Sequence, residues 1–245
     1  DLPALAIAGA AGRMGRELLT GAAARGFAVT GATEAPDSEA VGLSLSALSM
    51  EAPSGVSVVT ACYLRRFVTF FNQLLQDAPQ ELTLTREIHT LLKAIRAELS
   101  KPELSLESMT DAQRRTIMDA LGRAGGVYRQ TCYENGYSGD SVTISRDELS
   151  AFLSLVQQTI DGTIQANRRE DALYHAYNTL HLDGGIAQVD HLQIMLEGQV
   201  AVLSSGLLEP TAALTLLKQL RDSPLYRADQ HSYILYPDRD LPGFI

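Results

Sequence analysis

The stretch from Ala4 to Glu34, ALAIAGAAGRMGRELLTGAAARGFAVTGATE, constrains the fold of this chain more than any other. A short apolar run ends at Gly9, and glycine recurs at Gly12 and Gly15 before a helical pattern begins. Glycines at these positions allow a tight turn, close approach of a phosphate to the backbone and close packing of helix on strand. The stretch therefore predicts a strand, a glycine-rich turn, a helix and a second strand, with an anion at the helix N-terminus.

An acidic residue follows the glycines at the spacing expected of a ribose-binding side chain. Glu34 lies 19 residues after Gly15 (34 minus 15), close to the roughly 20 residues at which a carboxylate reaches the ribose hydroxyls of NAD. The alternative interpretation is a glycine-rich turn that binds nothing. Strand, glycine triplet, helix, strand and acid together favour dinucleotide binding.

The motifs AIAGAAGRMGRELL and GATE resemble the N-terminal nucleotide-binding segment of dihydrodipicolinate reductase, a lysine-biosynthesis oxidoreductase that uses NADH or NADPH. The resemblance covers residues 1–60 and implies a third strand from Val56 to Thr60. NADH is preferred, because Ala35 stands where the family often carries an arginine that favours NADP; Arg13 and Arg16 are the alternative source of positive charge. The resemblance assigns cofactor binding to Gly9, Ala10, Gly12, Arg13, Met14, Gly15 and Glu34.

The catalytic part of that family is not recognisable after Thr60. The sequence lacks its glycine–threonine–threonine turn, its paired histidines with a nearby lysine, and its Lys-x-Asp-x-Pro-Ser-Gly-Thr stretch. Catalytic residues are therefore unassigned, and whether the chain is an enzyme stays open. If it is one, the resemblance implies an NAD(P)H-dependent reductase.

From residue 61 onward the pattern is helical, which predicts a domain over 61–245 after the segment 1–60. Apolar residues spaced by three and four, and two capping-box motifs at Thr110 and Ser145, mark the helices. The predicted fold class is an α/β N-terminal Rossmann-like segment with an incomplete parallel sheet, followed by a mainly α-helical domain. The predicted helices are Tyr63 to Gln76, Leu84 to Leu99, 111 to 122, 146 to 166, Arg169 to Leu182, Val189 to Ser204 and Glu209 to Arg221.

Residues 63–245 loosely resemble the C-terminal region of large, uncharacterised bacterial helical proteins. The motifs behind this resemblance are DALYHAYN at 171–178, MLEGQVAVLSSGLL at 195–208 and LYRADQHSYILYPDR at 225–239. Two unrelated resemblances that join near residue 61 leave a fusion or chimera as an open interpretation. The alternative function is a helical carbohydrate- or protein-binding module with an incidental N-terminal segment, and an oligomer formed through the helical region remains open.

Several polar groups in the helical region are weaker candidates for chemistry. Glu197 and Asp229 are the pair considered as acid and base on a sugar. No metal site is predicted, because no HExxH or comparable pair accompanies the histidines. A calcium loop is rejected, because placing Glu148 at its last position puts Val142 where the sharp-turn glycine is required. One predicted helix face carries Tyr174, His175, Tyr177 and Asn178. A packed interface between helices is the favoured interpretation of this face, and contact with a ligand is the alternative.

Charge and cysteine content exclude several classes of protein. A formal net charge of -9 disfavours nucleic acid as a partner, because binding to its phosphates relies on Lys and Arg. Cys62 and Cys132 have no CxxC spacing, which favours reduced thiols and the cytoplasm. The N-terminus has no basic region before its apolar residues, and no run approaches the roughly 18 apolar residues of a membrane helix, so neither export nor a membrane anchor is expected.

Overall fold

The computed structural model describes residues 5–7, 29–32, 56–101 and 109–238. They belong to two compact units, one within Asp1–Leu43 and one within Ser44–Ile245. In the first unit, strands β1 (Leu5–Ile7) and β2 (Val29–Ala32) pair in parallel. The glycine-rich turn and the helix predicted between these strands lie outside the described residues.

The described residues of the second unit form six helices and six short strands. Each strand pairs with one neighbour in an antiparallel two-stranded sheet. In chain order the elements are α1 (Val58–Gln76), β3 (Glu81–Thr85), α2 (Arg86–Leu99), α3 (Asp111–Asn135), β4 (Ser141–Ser145), α4 (Arg146–Ala166), β5 (Asn178–Asp183), β6 (Ile186–His191), α5 (Leu196–Ser204), α6 (Pro210–Asp222), β7 (Tyr226–Arg227) and β8 (Ser232–Tyr233).

The predicted fold class is wrong: among the described residues there is no Rossmann-like sheet, and no sheet exceeds two strands. The third parallel strand, predicted at Val56 to Thr60, is replaced by the start of α1. Ser57 caps this helix by accepting a hydrogen bond from the Thr60 N–H at 3.2 Å. The run of β-branched residues favours a strand locally. Burial of Val58 and Cys62 on one helix face decides for the helix.

The helices α1, α2, α3 and α4 form two helix–strand–helix units that meet through the β3–β4 ribbon. Thr83 pairs with Thr143 at the centre of the ribbon, and in the adjacent pair Leu82 lies opposite the buried Ile144. Helices α2 and α4 each begin directly after a ribbon strand, where Thr85 and Ser145 accept the capping N–H bonds. The central core lies between α1 and α4 and contains Val58, Ala61, Cys62, Val68, Val156, Ile160 and Ile164.

The predicted capping motifs are confirmed to different extents. Thr110 and Gln113 form the reciprocal capping box at the start of α3. At α4 the Ser145 hydroxyl accepts from the Glu148 N–H at 3.0 Å, but the Glu148 carboxylate binds Arg96 instead of returning to the cap. Helix α3 also runs to Asn135, well past the end predicted near 122.

A β-hairpin occupies the end of one predicted helix and the start of another. Arg169 to Leu182 is wrong as a helix, because its last residues form β5, and the segment predicted from Val189 begins with the end of β6. Gly184 and Gly185 form the two-residue turn with φ of +50° and +90°. Positive φ at both turn residues suits the twist of a tight hairpin, and glycine adopts it without strain. Helix α5 starts only at Leu196.

Within the described ranges, no helix combines the length and apolar content required to span a bilayer.

Candidate functional site

The residues predicted to bind a dinucleotide lie outside the described residues. This holds for the glycine-rich set and for the ribose-binding acid, which are Gly9, Ala10, Gly12, Arg13, Met14, Gly15 and Glu34. The flanking strands β1 and β2 are described, and their parallel pairing agrees with the strand–turn–helix–strand order predicted locally. Their role in cofactor binding stays a prediction.

The most distinctive polar site of the second unit surrounds the Glu197 carboxylate. Tyr63, Tyr177, Glu197 and Tyr236 form what we refer to as the tyrosine–glutamate cluster. The Tyr177 hydroxyl hydrogen-bonds Glu197, and Tyr63 and Tyr236 lie near enough to influence the same phenol. Tyr63 and Tyr236 are about half exposed, at 56% and 49%. The cluster therefore presents aromatic surface and one carboxylate to solvent.

Backbone hydrogen bonds hold the cluster together from separate parts of the chain. The Val58 N–H donates to the Ala176 carbonyl at 3.0 Å, and the Asn178 N–H donates to the Val56 carbonyl at 2.8 Å. These two bonds fix Tyr177 beside the first turns of α1. The Leu196 N–H donates to the Leu235 carbonyl at 3.1 Å, which places the following Tyr236 next to the start of α5.

The electrostatics of the cluster favour a neutral phenol beside a carboxylate. Burial, together with the hydrogen bond to Glu197, raises the pKa of Tyr177 to about 12. At neutral pH the Tyr177 hydroxyl therefore stays protonated and donates to Glu197. A carboxylate accepts through two oxygens with about four lone-pair directions, so Glu197 retains capacity for donors from a ligand.

A groove along α1 shares Tyr63 with the cluster. Its volume is about 610 Å³, and Tyr63, Phe67 and Phe70 line it on the α1 side while Ser204 to Gly206 line the other. Phe67 and Phe70 are more than half exposed. A ligand in this groove would pack over a row of aromatic side chains that begins at Tyr63.

Close packing of α5 against the segment before β5 supports this geometry. Gly198 follows Glu197, and a Cβ atom built on it would lie 2.8 Å from the Ala176 Cβ and 2.9 Å from the Ala176 Cα. The absence of a side chain at Gly198 therefore allows Glu197 to reach the neighbouring Tyr177.

We expect Gly198→Ala to lower the free energy of unfolding by about 1–3 kcal/mol, because the added methyl group overlaps backbone atoms of Ala176. Urea unfolding followed by far-UV circular dichroism measures the loss. Gly125→Ala is the matched control: it lies inside helix α3 with no atom near the added methyl group. This control should gain about 0.5–1 kcal/mol. A gain in both variants would contradict the close packing.

A second polar group consists of two stacked histidines. The rings of His175 and His191 are 4.0 Å apart and within 8° of parallel. His175 Nδ1 donates to the Leu192 carbonyl at 3.2 Å, and His191 Nδ1 donates to Asn178 Oδ1 at 2.8 Å. The predicted helix face of Tyr174, His175, Tyr177 and Asn178 is wrong, because these residues precede and begin β5; Tyr174 is buried instead.

Burial lowers the pKa of both histidines, and the proximity of His191 lowers the pKa of His175 further. In the unfolded chain these histidines have an ordinary pKa of about 6.5. As the pH falls, the unfolded state therefore binds protons more readily than the folded state. The stabilisation is therefore fully present only well above pH 6.5, and we expect the free energy of unfolding to decrease as the pH falls from about 7.5 to 5.5. The urea midpoint across this range measures the effect. His175→Gln should flatten the dependence, whereas the control His89→Gln should leave it unchanged.

The remaining chemical candidates are held in other interactions. Asp229 accepts two hydrogen bonds from Arg227, at 2.9 Å each, and these lower the pKa of its carboxyl. The Ser204 and Ser205 hydroxyls donate to backbone carbonyls within their own helix turn. The described part of the chain contains no group of three or more His, Cys, Asp or Glu side chains arranged to hold a metal ion.

No family model matches the chain, and no curated protein matches it either. Sequence reasoning identified Tyr177 and Glu197 separately but missed their contact, and it missed Tyr63 and Tyr236 altogether. The sequence did offer one signal for the cluster. The motifs at 171–178, 195–208 and 225–239 each contain one of its members.

Proposed function

We propose that the helical region binds carbohydrate at the tyrosine–glutamate cluster. The observation that carries this proposal is that Tyr177 hydrogen-bonds the Glu197 carboxylate while Tyr63 and Tyr236, from separate parts of the chain, lie near the same phenol. Sugar rings have apolar C–H faces and a rim of hydroxyl groups. Aromatic rings pack on the faces, and a carboxylate accepts strong hydrogen bonds from the hydroxyls.

The sequence left open a module that binds either carbohydrate or protein. The composition of the cluster favours a saccharide over a helix of a protein partner. A groove for a helix is built from apolar side chains that accept an apolar stripe. Here the cluster carries a charged carboxylate and three phenol groups. A saccharide can hydrogen-bond to Glu197 and pack on the tyrosine rings of the cluster.

The described site supports binding rather than hydrolysis of a glycosidic bond. Hydrolysis by the usual route requires a second carboxyl group about 5–10 Å from the first. Asp229, the partner considered from sequence, is an ionised carboxylate paired with Arg227. Its lowered pKa disfavours the protonated form that a general acid needs.

Titration with neutral tetrasaccharides of glucose, each with one linkage type, tests the proposal. The chain has no tryptophan and nine tyrosines, so tyrosine fluorescence and calorimetry both report on the site. We expect at least one saturable binder. Glu197→Gln should weaken its binding about tenfold to a hundredfold, because a hydrogen bond to a charged group contributes about 1.5–3 kcal/mol. Tyr63→Ala should also weaken binding through lost stacking.

Tyr133→Ala is the matched control, since Tyr133 is exposed on α3 and is not a member of the cluster. Its affinity should equal that of the unaltered protein. Absence of saturable binding to every tetrasaccharide, or equal affinity for the Glu197→Gln protein, would exclude the proposal.

A second candidate function is dinucleotide binding by the N-terminal segment, with NADH preferred over NADPH. The spacing of Gly9, Gly12, Gly15 and Glu34 in the sequence supports it, and so does the parallel pairing of β1 with β2. Reductase activity in lysine biosynthesis is not expected to accompany it, because the catalytic motifs of that family are absent from the sequence. Titration with NADH, followed by its fluorescence, tests binding, and Gly12→Val should abolish it by blocking backbone approach to the pyrophosphate.

The cytoplasm is the compartment we propose for this protein. Cys62 and Cys132 are both free thiols, and burial raises the pKa of Cys62 to about 12. A buried thiol that stays protonated resists oxidation, and free thiols are usual in a reducing compartment.

A further inference from the structure

A pocket between α2 and α3, which we refer to as the α2–α3 pocket, lies apart from the tyrosine–glutamate cluster. Its volume is about 410 Å³, within the range of about 300–1,000 Å³ that is usual for small-molecule sites. Three alanines, Ala94, Ala120 and Ala124, line it together with Leu91 and Val127. This wall is apolar and therefore suits the hydrocarbon part of a ligand.

Two of the three charged residues that line the α2–α3 pocket are arginines, Arg86 and Arg123. Arg86 forms an ion pair with Asp140 at 3.0 Å, so its charge is already compensated. Arg123 is exposed, and its guanidinium forms neither an ion pair nor a hydrogen bond with another residue in the described ranges. The five N–H donors of Arg123 are therefore available to an acceptor on a ligand.

The third charged residue of the pocket, Glu87, uses its carboxylate elsewhere. Its Oε1 accepts the Ser138 N–H at 2.9 Å, and the Ser138 side chain also hydrogen-bonds this carboxylate. Its Oε2 has almost no exposed surface. Ser138 does not line the pocket. The charge without a partner at this pocket is thus positive, although the whole chain carries a formal net charge of -9.

We propose that the α2–α3 pocket binds a small aliphatic carboxylate of the fatty-acid class, with its hydrocarbon chain between the helices and its carboxylate on Arg123. A guanidinium matches a carboxylate in charge and in the geometry of two parallel N–H···O bonds. An amine of the same length offers no acceptor to Arg123 and brings a second cation beside it. This assignment is independent of carbohydrate binding, since the two sites share no residue.

Octanoate and octylamine, which carry chains of the same length and opposite charge at neutral pH, serve as probes for the isotopically labelled full chain. Amide chemical shifts in NMR spectra should change saturably with octanoate, and the changes should concentrate on α2 and α3. Octylamine should bind at least tenfold more weakly. Equal or stronger binding of octylamine, or no saturable binding of octanoate at millimolar concentration, would overturn the proposal.

Two substitutions distinguish the guanidinium from the cavity. Arg123→Gln should weaken octanoate binding about fivefold, a modest factor because solvent screens an ion pair at the surface. Lys93→Gln is the matched control: it also removes one exposed positive charge, on α2 but outside the pocket, and it should have no effect. Ala124→Phe should fill the pocket and abolish binding. If that variant fails to fold, the comparison of Arg123→Gln with Lys93→Gln still decides, and equal affinity in these two proteins refutes the site.

Discussion

Replacing Asp161 with asparagine should lower the free energy of unfolding by about 3 kcal/mol. Arg65 on α1 is 9% exposed, and its Nε donates to Asp161 Oδ1 at 2.6 Å. Its Nη2 donates to Asp161 Oδ2 at 3.4 Å, and its Nη1 donates to the Ser205 carbonyl at the end of α5 at 2.9 Å. Asparagine retains an acceptor but leaves the buried guanidinium without its countercharge. Removal of one partner of a buried pair costs about 3–5 kcal/mol, and partial exposure of Asp161 places the loss at the lower end.

Chemical denaturation followed by circular dichroism measures this loss, with Asp140→Asn as the matched control. Asp140 pairs with Arg86 at 3.0 Å, but both side chains are more than half exposed. Exposed pairs contribute at most about 1 kcal/mol, so the control should differ little from the unaltered protein. Equal losses in the two variants would contradict the structural role of Arg65, which joins α1, α4 and α5 through one side chain.

Local sequence signals predicted those elements whose stability is mainly local. Helices α1 and α2 follow from apolar spacing, and the starts of α3 and α4 follow from the capping motifs at Thr110 and Ser145. The same signals failed at Val56 to Thr60, where β-branched residues favour a strand in isolation. There the tertiary contacts of α1, with Val58 and Cys62 buried against the core, outweigh a propensity that spans only about 1 kcal/mol.

The hairpin of β5 and β6 was missed for a different reason. Its sequence, NTLHLDGGIAQVDH, contains two adjacent glycines between alternating residues, which is a hairpin signal. The helical interpretation extended through Leu182, although Leu180 and Leu182 are two residues apart, which is the period of a strand and not of a helix. The predicted fold class was wrong because it required a parallel sheet of several strands. Each strand among the described residues pairs with only one other strand.

The candidate sites were less predictable than the elements that carry them. Tyr63, Tyr177, Glu197 and Tyr236 are distant in sequence and meet only through the backbone bonds between α1, the segment before β5 and the chain after β8. Contacts of this kind follow from packing, and a single sequence holds no direct record of packing.

Gln199→Leu should destabilise the protein by about 2–6 kcal/mol and should also release the tyrosine–glutamate cluster. Gln199 is fully buried, and its amide accepts from the Tyr174 N–H at 2.9 Å and donates to the Tyr174 carbonyl at 2.7 Å. It also donates to the Met195 carbonyl at 3.0 Å. Leucine has similar volume but leaves the two Tyr174 backbone groups buried without partners, at about 1–3 kcal/mol each.

This substitution separates the role of Gln199 from general helix packing. Gln165→Leu is the matched control, because Gln165 is exposed on α4 and exposed substitutions usually change stability by less than about 0.5 kcal/mol. Urea unfolding gives the free energies. Because Gln199 fixes the segment that precedes Tyr177, the folded Gln199→Leu protein should also lose saccharide affinity, whereas Gln165→Leu should retain it. A stable Gln199→Leu protein would show that the three amide bonds do not anchor α5 to this segment.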